Sequence, residues 1–239
     1  MIEIKKLLYK KKIQFIDKNL SWGAKLSDYH EIIVQSYYYH LIYGIELISD
    51  IPAPENYRII DHHNQLSQLP SSLEQVAEIL GIKLNRYQKL VAANDKGYIP
   101  EMIKNGATTD EIEKIRRSDR KSQGVTKSDE FLGIKSIHEN CKIINNVAVI
   151  RSLTYKFSPI TDRLFGKYNK LIIYTEKNLC YYGKGIIKLI NQFQDNVKNN
   201  NAYYGGGENG FFGFADFTFS ATDIQNKIIP QIIKLVEHE

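Results

Sequence analysis

The chain has 239 residues, a formal net charge of +5, 43% hydrophobic residues and 25% charged ones. That length suits one compact domain or two small ones with a sizeable core, and the apolar and charged shares are those of a folded soluble protein. No apolar run reaches the ~18 residues of a membrane span, and the basic start MIEIKKLLYKKK lacks the apolar stretch and cleavage site of a signal peptide.

The first part reads as alternating strands and helices. Residues 12–17 (KIQFID) form a short apolar run that ends in Asp17. Residues 28–41 suit a helix with Asp28 as N-cap. Residues 42–49 (IYGIELIS) form a second strand-like run, followed by Asp50 and a loop whose two prolines exclude a helix. Residues 57–60 (YRII) form a third strand that runs straight into Asp61, His62 and His63. Ser71 and Glu74 have capping-box spacing. Leu73, Val76, Ala77 and Leu80 follow at helical spacing, and Gly81 ends that helix. Residues 85–93 read as a helix up to the turn signal Asn94-Asp95-Lys96-Gly97. Thr108 or Thr109 caps the next one. From about residue 145 the composition shifts to strand-like runs (VAVIRSL, KLIIYT, NLCYYG), a helix-like GIIKLINQFQDN, a glycine turn, the strand FFGFADFTFS and a last helix interrupted by Pro230. The domain boundary is placed there, giving domains 1–145 and 146–239.

The Asp-His-His cluster is the feature that carries chemistry. In open α/β sheets, ligands gather at the carboxyl ends of strands. A carboxylate oxygen beside imidazole nitrogen suits manganese, zinc or iron. Asp17, Asp50 and Asp95 each follow an apolar run. They are candidate partners for a metal and, equally, ordinary turn or cap residues. Arg116 and Arg120, spaced i, i+4, share a helix face. They suit a substrate phosphate or surface pairing with the nearby Glu111, Glu113 and Asp119. Gly205, Gly206 and Gly207 suit an anion cradle or a tight turn, with Glu208 and Asn209 following. The charge of +5 fits an anionic substrate without marking a nucleic-acid binder. His30 and His40 read as surface or core-packing residues, His138 and His238 as surface ones. Cys141 and Cys180 lie far apart in no metal spacing, which points to reduced, structural cysteines and the cytoplasm.

The segment RIIDHHN resembles the signature of the DHH phosphoesterase superfamily, and YYGGGENGFFG looks like that family's C-terminal glycine-rich motif. The resemblance implies an α/β fold: an N-terminal, mainly parallel sheet with helices, and a smaller C-terminal α+β domain. It implies a metal-binding catalytic domain followed by a substrate-binding one. Asp61 and His62 would bind metal, with Asp95 as the later metal-binding aspartate and Asp50 as the one before the signature. His63 would sit beside the substrate phosphate, and manganese or another divalent metal would be the cofactor. Where the family opens with His-x-Asp-x-Asp, this chain has Phe15-Ile16-Asp17-Lys18-Asn19, so Asp17 alone keeps its place.

The reading is a metal-dependent hydrolase, a phosphoesterase or nuclease. Asp61 and His63 would be catalytic, and Arg116, Arg120 and the three glycines would bind substrate. The substrate would be a nucleotide or a short single-stranded oligonucleotide. No membrane partner is expected, and a homodimer is compatible. The alternative is a non-catalytic member that binds a nucleotide or nucleic acid, or regulates a partner.

Overall fold

The computed structural model describes residues 1–20, 23–36 and 41–239. The chain divides into two compact units, Met1–Ser118 and Asp119–Glu239. The compositional shift near residue 145 falls inside the second unit, between two of its strands.

The first unit opens with helix α1, Ile2–Lys10, which buries Ile4, Leu7 and Leu8 at i, i+3, i+4 spacing. The run 12–17 that follows is not a strand. Lys12 takes a positive φ of 55°, and the Ile13 amide closes back on the Leu8 carbonyl at 3.0 Å. Phe15 then packs on the core while Ile13 and Ile16 stay exposed. The expected helix 28–41 is also shorter. A 3-10 turn, Leu26–Tyr29, leads into α2, His30–Ser36. Asp28 is not its N-cap: its carboxylate accepts the Lys25 amide at 2.7 Å from inside the turn. The residues beyond, His40 among them, lie outside the described residues.

Strand β1, Ile42–Ile45, pairs in parallel with β2, Tyr57–Ile60, so that Ile45 is level with Ile60. The apolar run 42–49 therefore stops as a strand at Glu46, whose φ is 54°. Gly44 is required in β1, because a Cβ there would lie 1.8 Å from Tyr57 Oη. Helix α3, Ser72–Ile79, starts in the expected capping box. It ends as Gly81 turns left-handed and the Ile82 amide reaches the Ala77 carbonyl at 2.8 Å. Its Leu73, Val76 and Ala77 pack with α1, Ile60 and Ala92 in one core. Helix α4, Arg86–Lys104, is kinked at Gly97 and Tyr98, just before Pro100, which lacks an N–H and crowds the preceding turn. Helix α5, Thr109–Ser122, is capped by Thr108, whose Oγ1 accepts the Glu111 amide at 3.2 Å.

The second unit holds α6, Lys127–Asn140, which the sequence reading did not place, although Thr126 and Asp129 cap it reciprocally. Next come β3, Cys141–Ile144, and β4, Val147–Arg151. Helix α7, Ser158–Leu164, precedes β5, Lys170–Tyr174, and β6, Leu179–Gly183. After α8, Ile186–Gln192, and α9, Gln194–Lys198, come β7, Ala202–Gly205, and β8, Phe211–Phe214. The six strands run in the order β3-β4-β5-β6-β8-β7. β4 and β5 are parallel and the other neighbours antiparallel. Alternate residues face opposite sides: Val147, Val149 and Ile172 enter one core, Ala148, Ile150 and Ile173 the other. Both faces are thus covered. The final segment runs α10, Ala221–Asp223, a π-turn Ile224–Ile228, and α11, Ile229–Val236. The backbone widens where Pro230 removes a donor. The fold is α/β, with a small parallel sheet in the first unit and a larger mixed sheet in the second.

Candidate metal centre

Parallel pairing of β1 and β2 brings their carboxyl ends level. Glu46 follows β1 and donates its amide to the Ile60 carbonyl at 2.9 Å; Asp61 follows β2. The chain turns immediately after it, because Asp61 Oδ1 gathers three donors. The His62 amide lies at 2.7 Å, the His63 amide at 3.0 Å and His63 Nδ1 at 2.6 Å. Burial is the largest single influence on the Asp61 carboxyl and pushes its pKa upward. The His63 side chain and the two amides outweigh it and hold the group below its usual range.

This turn sends the His62 ring inward. Its side chain is 4% exposed. Nδ1 lies 3.2 Å from Ser72 Oγ and 3.3 Å from the Ser72 amide, both at the start of α3. Ser72, the first residue of α3, therefore also holds the ring. Nε2 is buried and has no hydrogen-bond partner among the described residues. It lies 3.6 Å from Asp95 Oδ2, on α4 just before the kink. Glu46, His62 and Asp95 can each offer a ligand atom within 4.8 Å of the others, and so can Asp61, His62 and His63. Partial burial first, then the like charge of Glu46, push the Asp95 carboxyl above its usual range. With 42% of that side chain open to solvent, the repulsion by Glu46 is the part that a bound cation would reverse.

These residues fit a divalent ion of mixed oxygen and nitrogen preference. A buried imidazole nitrogen left bare costs about 1–3 kcal/mol, and a cation satisfies it together with both carboxylates. Glu46 is the residue that sequence reasoning missed. Its signal was a lone carboxylate inside the apolar run IYGIELIS.

The structure does not bring the other candidates into these two groups. The Asp17 carboxylate is ion-paired to Lys5 and accepts the Asn19 amide at 2.7 Å. Asp50 accepts the Ser27 amide at 3.0 Å and its hydroxyl at 2.6 Å. Arg116 is buried, stacks on the Tyr98 ring at 4.4 Å and donates to Asn94 Oδ1 at 3.0 Å. Arg120 is 3% exposed and tied to Glu130 and Asp162, so its guanidinium serves the second unit's interior. Gly205, Gly206 and Gly207 join β7 to β8. A Cβ at neighbouring Gly210 would lie 1.8 Å from the Gly205 carbonyl oxygen, so steric closeness alone explains part of this glycine pattern. The Glu208 side chain lies outside the described ones. His30, His138 and His238 are exposed. No helix among the described residues is long and apolar enough to cross a membrane.

No protein-family model matches the chain, and no curated protein matches it. Among solved structures it is similar to the pGpG-specific phosphodiesterase PggH from Vibrio cholerae, with 14% identity, 98% of this chain and 95% of that one covered, and a TM-score of 0.46. It is also similar to the DHH domain of a member of a ribosomal-protein family, with 14% identity, 72% of this chain and 47% of that one covered, and a TM-score of 0.33.

Proposed function

We propose that the chain is a divalent-cation-dependent phosphoesterase of DHH type, with manganese as the working ion and a nucleotide or short single-stranded oligonucleotide as substrate. At 14% identity to the solved structures, likeness of fold leaves the chemistry to be argued from side chains. The observation that carries the proposal is the buried His62 Nε2, without a hydrogen-bond partner among the described residues and 3.6 Å from Asp95 Oδ2. Glu46 stands within ligand reach of both. The sequence RIIDHHN supports the same reading.

A divalent cation supplies Lewis acidity to a phosphoryl oxygen and to an attacking water. The chain's own groups do the rest. His62 offers a neutral nitrogen, and Glu46 and Asp95 offer two negative charges. Asp61 accepts the Nδ1 proton of His63, which fixes that ring and leaves Nε2 to hold or deliver a proton at the leaving oxygen. The His63 side chain is 41% exposed, so substrate can reach it.

The test is hydrolysis of a generic phosphodiester and of short oligonucleotides, with and without manganese. Turnover that needs manganese and is lost in His62→Gln and Asp95→Asn is expected. Turnover indifferent to metal and to both substitutions would sink the proposal. A second reading, ligand binding without turnover, is favoured by one observation: Asp17, the remaining carboxylate of the first motif, is ion-paired to Lys5. Tight nucleotide binding with no hydrolysis would select it.

A further inference from the structure

A two-cation centre needs a carboxylate that bridges the ions and further carboxylates beyond it. Asp61, at the strand end beside the two histidines, has an Oδ1 that already accepts the His62 amide, the His63 amide and His63 Nδ1, at 2.7, 3.0 and 2.6 Å. The two carboxylates that could serve a second ion are also engaged: Asp17 by Lys5 and the Asn19 amide, Asp50 by the Ser27 amide and hydroxyl. The ligand atoms of Glu46, His62 and Asp95 lie within 4.8 Å of one another, as do those of Asp61, His62 and His63. In the second group Asp61 Oδ1 is already bonded to His63 Nδ1, whereas in the first the buried His62 Nε2, without a hydrogen-bond partner among the described residues, faces Asp95 Oδ2 at 3.6 Å. Two carboxylates also neutralise one divalent charge, which keeps a partly buried site free of net charge.

We infer that the centre holds a single cation per chain, on Glu46, His62 and Asp95, and that Asp61 acts as the positioning residue for His63 instead of as a bridging ligand. This rests on reading the cluster as a metal site, and it departs from a two-metal arrangement. The Asp61 carboxylate selects the His63 tautomer with the proton on Nδ1, as a carboxylate does for a catalytic imidazole. The His62 and His63 rings, 4.3 Å apart between centroids, then divide the work: one holds the ion and the other handles the proton.

The experiment is manganese titration of the metal-stripped full chain by calorimetry, with the electron paramagnetic resonance spectrum of the loaded protein. One manganese per chain and the six-line spectrum of an isolated ion are expected. Glu46→Gln and Asp95→Asn should weaken binding at least about tenfold, whereas Asp61→Asn should keep the wild-type stoichiometry and affinity. In turnover, Asp61→Asn should lower kcat with KM unchanged, and the double variant with His63→Ala should lose no more than His63→Ala alone. Two ions per chain, a spin-coupled spectrum, or loss of manganese in a folded Asp61→Asn variant would overturn the inference and leave the phosphoesterase reading standing. No manganese bound by the wild-type chain at millimolar concentration would overturn both. The wild-type stoichiometry decides even if a variant fails to fold.

Discussion

His62 shows how one residue turns a strand end into a candidate binding site. A histidine this buried is ordinarily satisfied at both nitrogens, because an unpaired polar atom in the interior costs about 1–3 kcal/mol. Among the described residues only Nδ1 has a hydrogen-bond partner, at the start of α3. The Ser72 amide donates to Nδ1 at 3.3 Å and Ser72 Oγ lies 3.2 Å from it, while Nε2 faces Asp95. Such outer partners orient a ligating imidazole. Ser72→Ala should therefore weaken manganese binding about tenfold without touching a ligand. Calorimetry on the variant, with circular dichroism to confirm the helix, checks this. Unchanged affinity would mean that the ring is held by packing alone.

At the scale of elements, the site is built where two short strands end, α3 begins and α4 kinks. β1 and β2 are four residues each, too short to stand without the helices that cover them. Their register depends on Gly44 lying under the Tyr57 ring. Gly44→Ala forces that buried ring aside and should cost about 1–3 kcal/mol, read as a lower urea midpoint. It should also weaken manganese binding, since Glu46 and Asp61 are set by the same register. A midpoint equal to the wild type would show that Tyr57 swings away freely. Ser71→Ala removes the cap in which the Glu74 amide donates to Ser71 Oγ at 3.3 Å, and should cost about 1 kcal/mol. Both the β2 strand and this cap were legible in the sequence because each is local: four residues of apolar run, or one S-x-x-E spacing. Glu46 was not legible as a site residue. Its role arises only when β1 pairs in parallel with β2, a contact between separated segments that no local pattern announces. The run 12–17 failed as a strand for the opposite reason: a turn at Lys12 uses residues that periodicity counts as extended. The i, i+4 face shared by Arg116 and Arg120 was read correctly as geometry. The partners of each arginine, Asn94 for one and Glu130 with Asp162 for the other, are tertiary.

For the whole molecule, the pattern of carboxylate pairing sets the response to acid. Glu111 is held down to about 2 by the Arg86 guanidinium first and then by the Thr108 amide. In the second unit, Asp129 lies below its usual range through its bonds to the Thr126 and Thr154 hydroxyls. Burial is the largest influence on Glu130 and pushes it up, but Arg120 and Arg163 together hold it low. Each of these groups binds a proton more weakly folded than unfolded. The unfolded chain therefore takes up more protons as the pH falls, and stability drops with it. Their contribution is complete above the ordinary carboxylate range near 4.5 and, for Glu111, is lost between there and about 2. Melting temperature should hold between pH 5 and pH 7, then fall steeply below about pH 4.5. Glu111→Gln isolates one part of this. Glu111 is exposed, so the effect is small, but its sign is fixed: the variant should melt below the wild type at neutral pH, and the two curves should converge toward pH 2. A constant gap across that range would show that the Arg86 pair contributes through packing of its stem and not through charge.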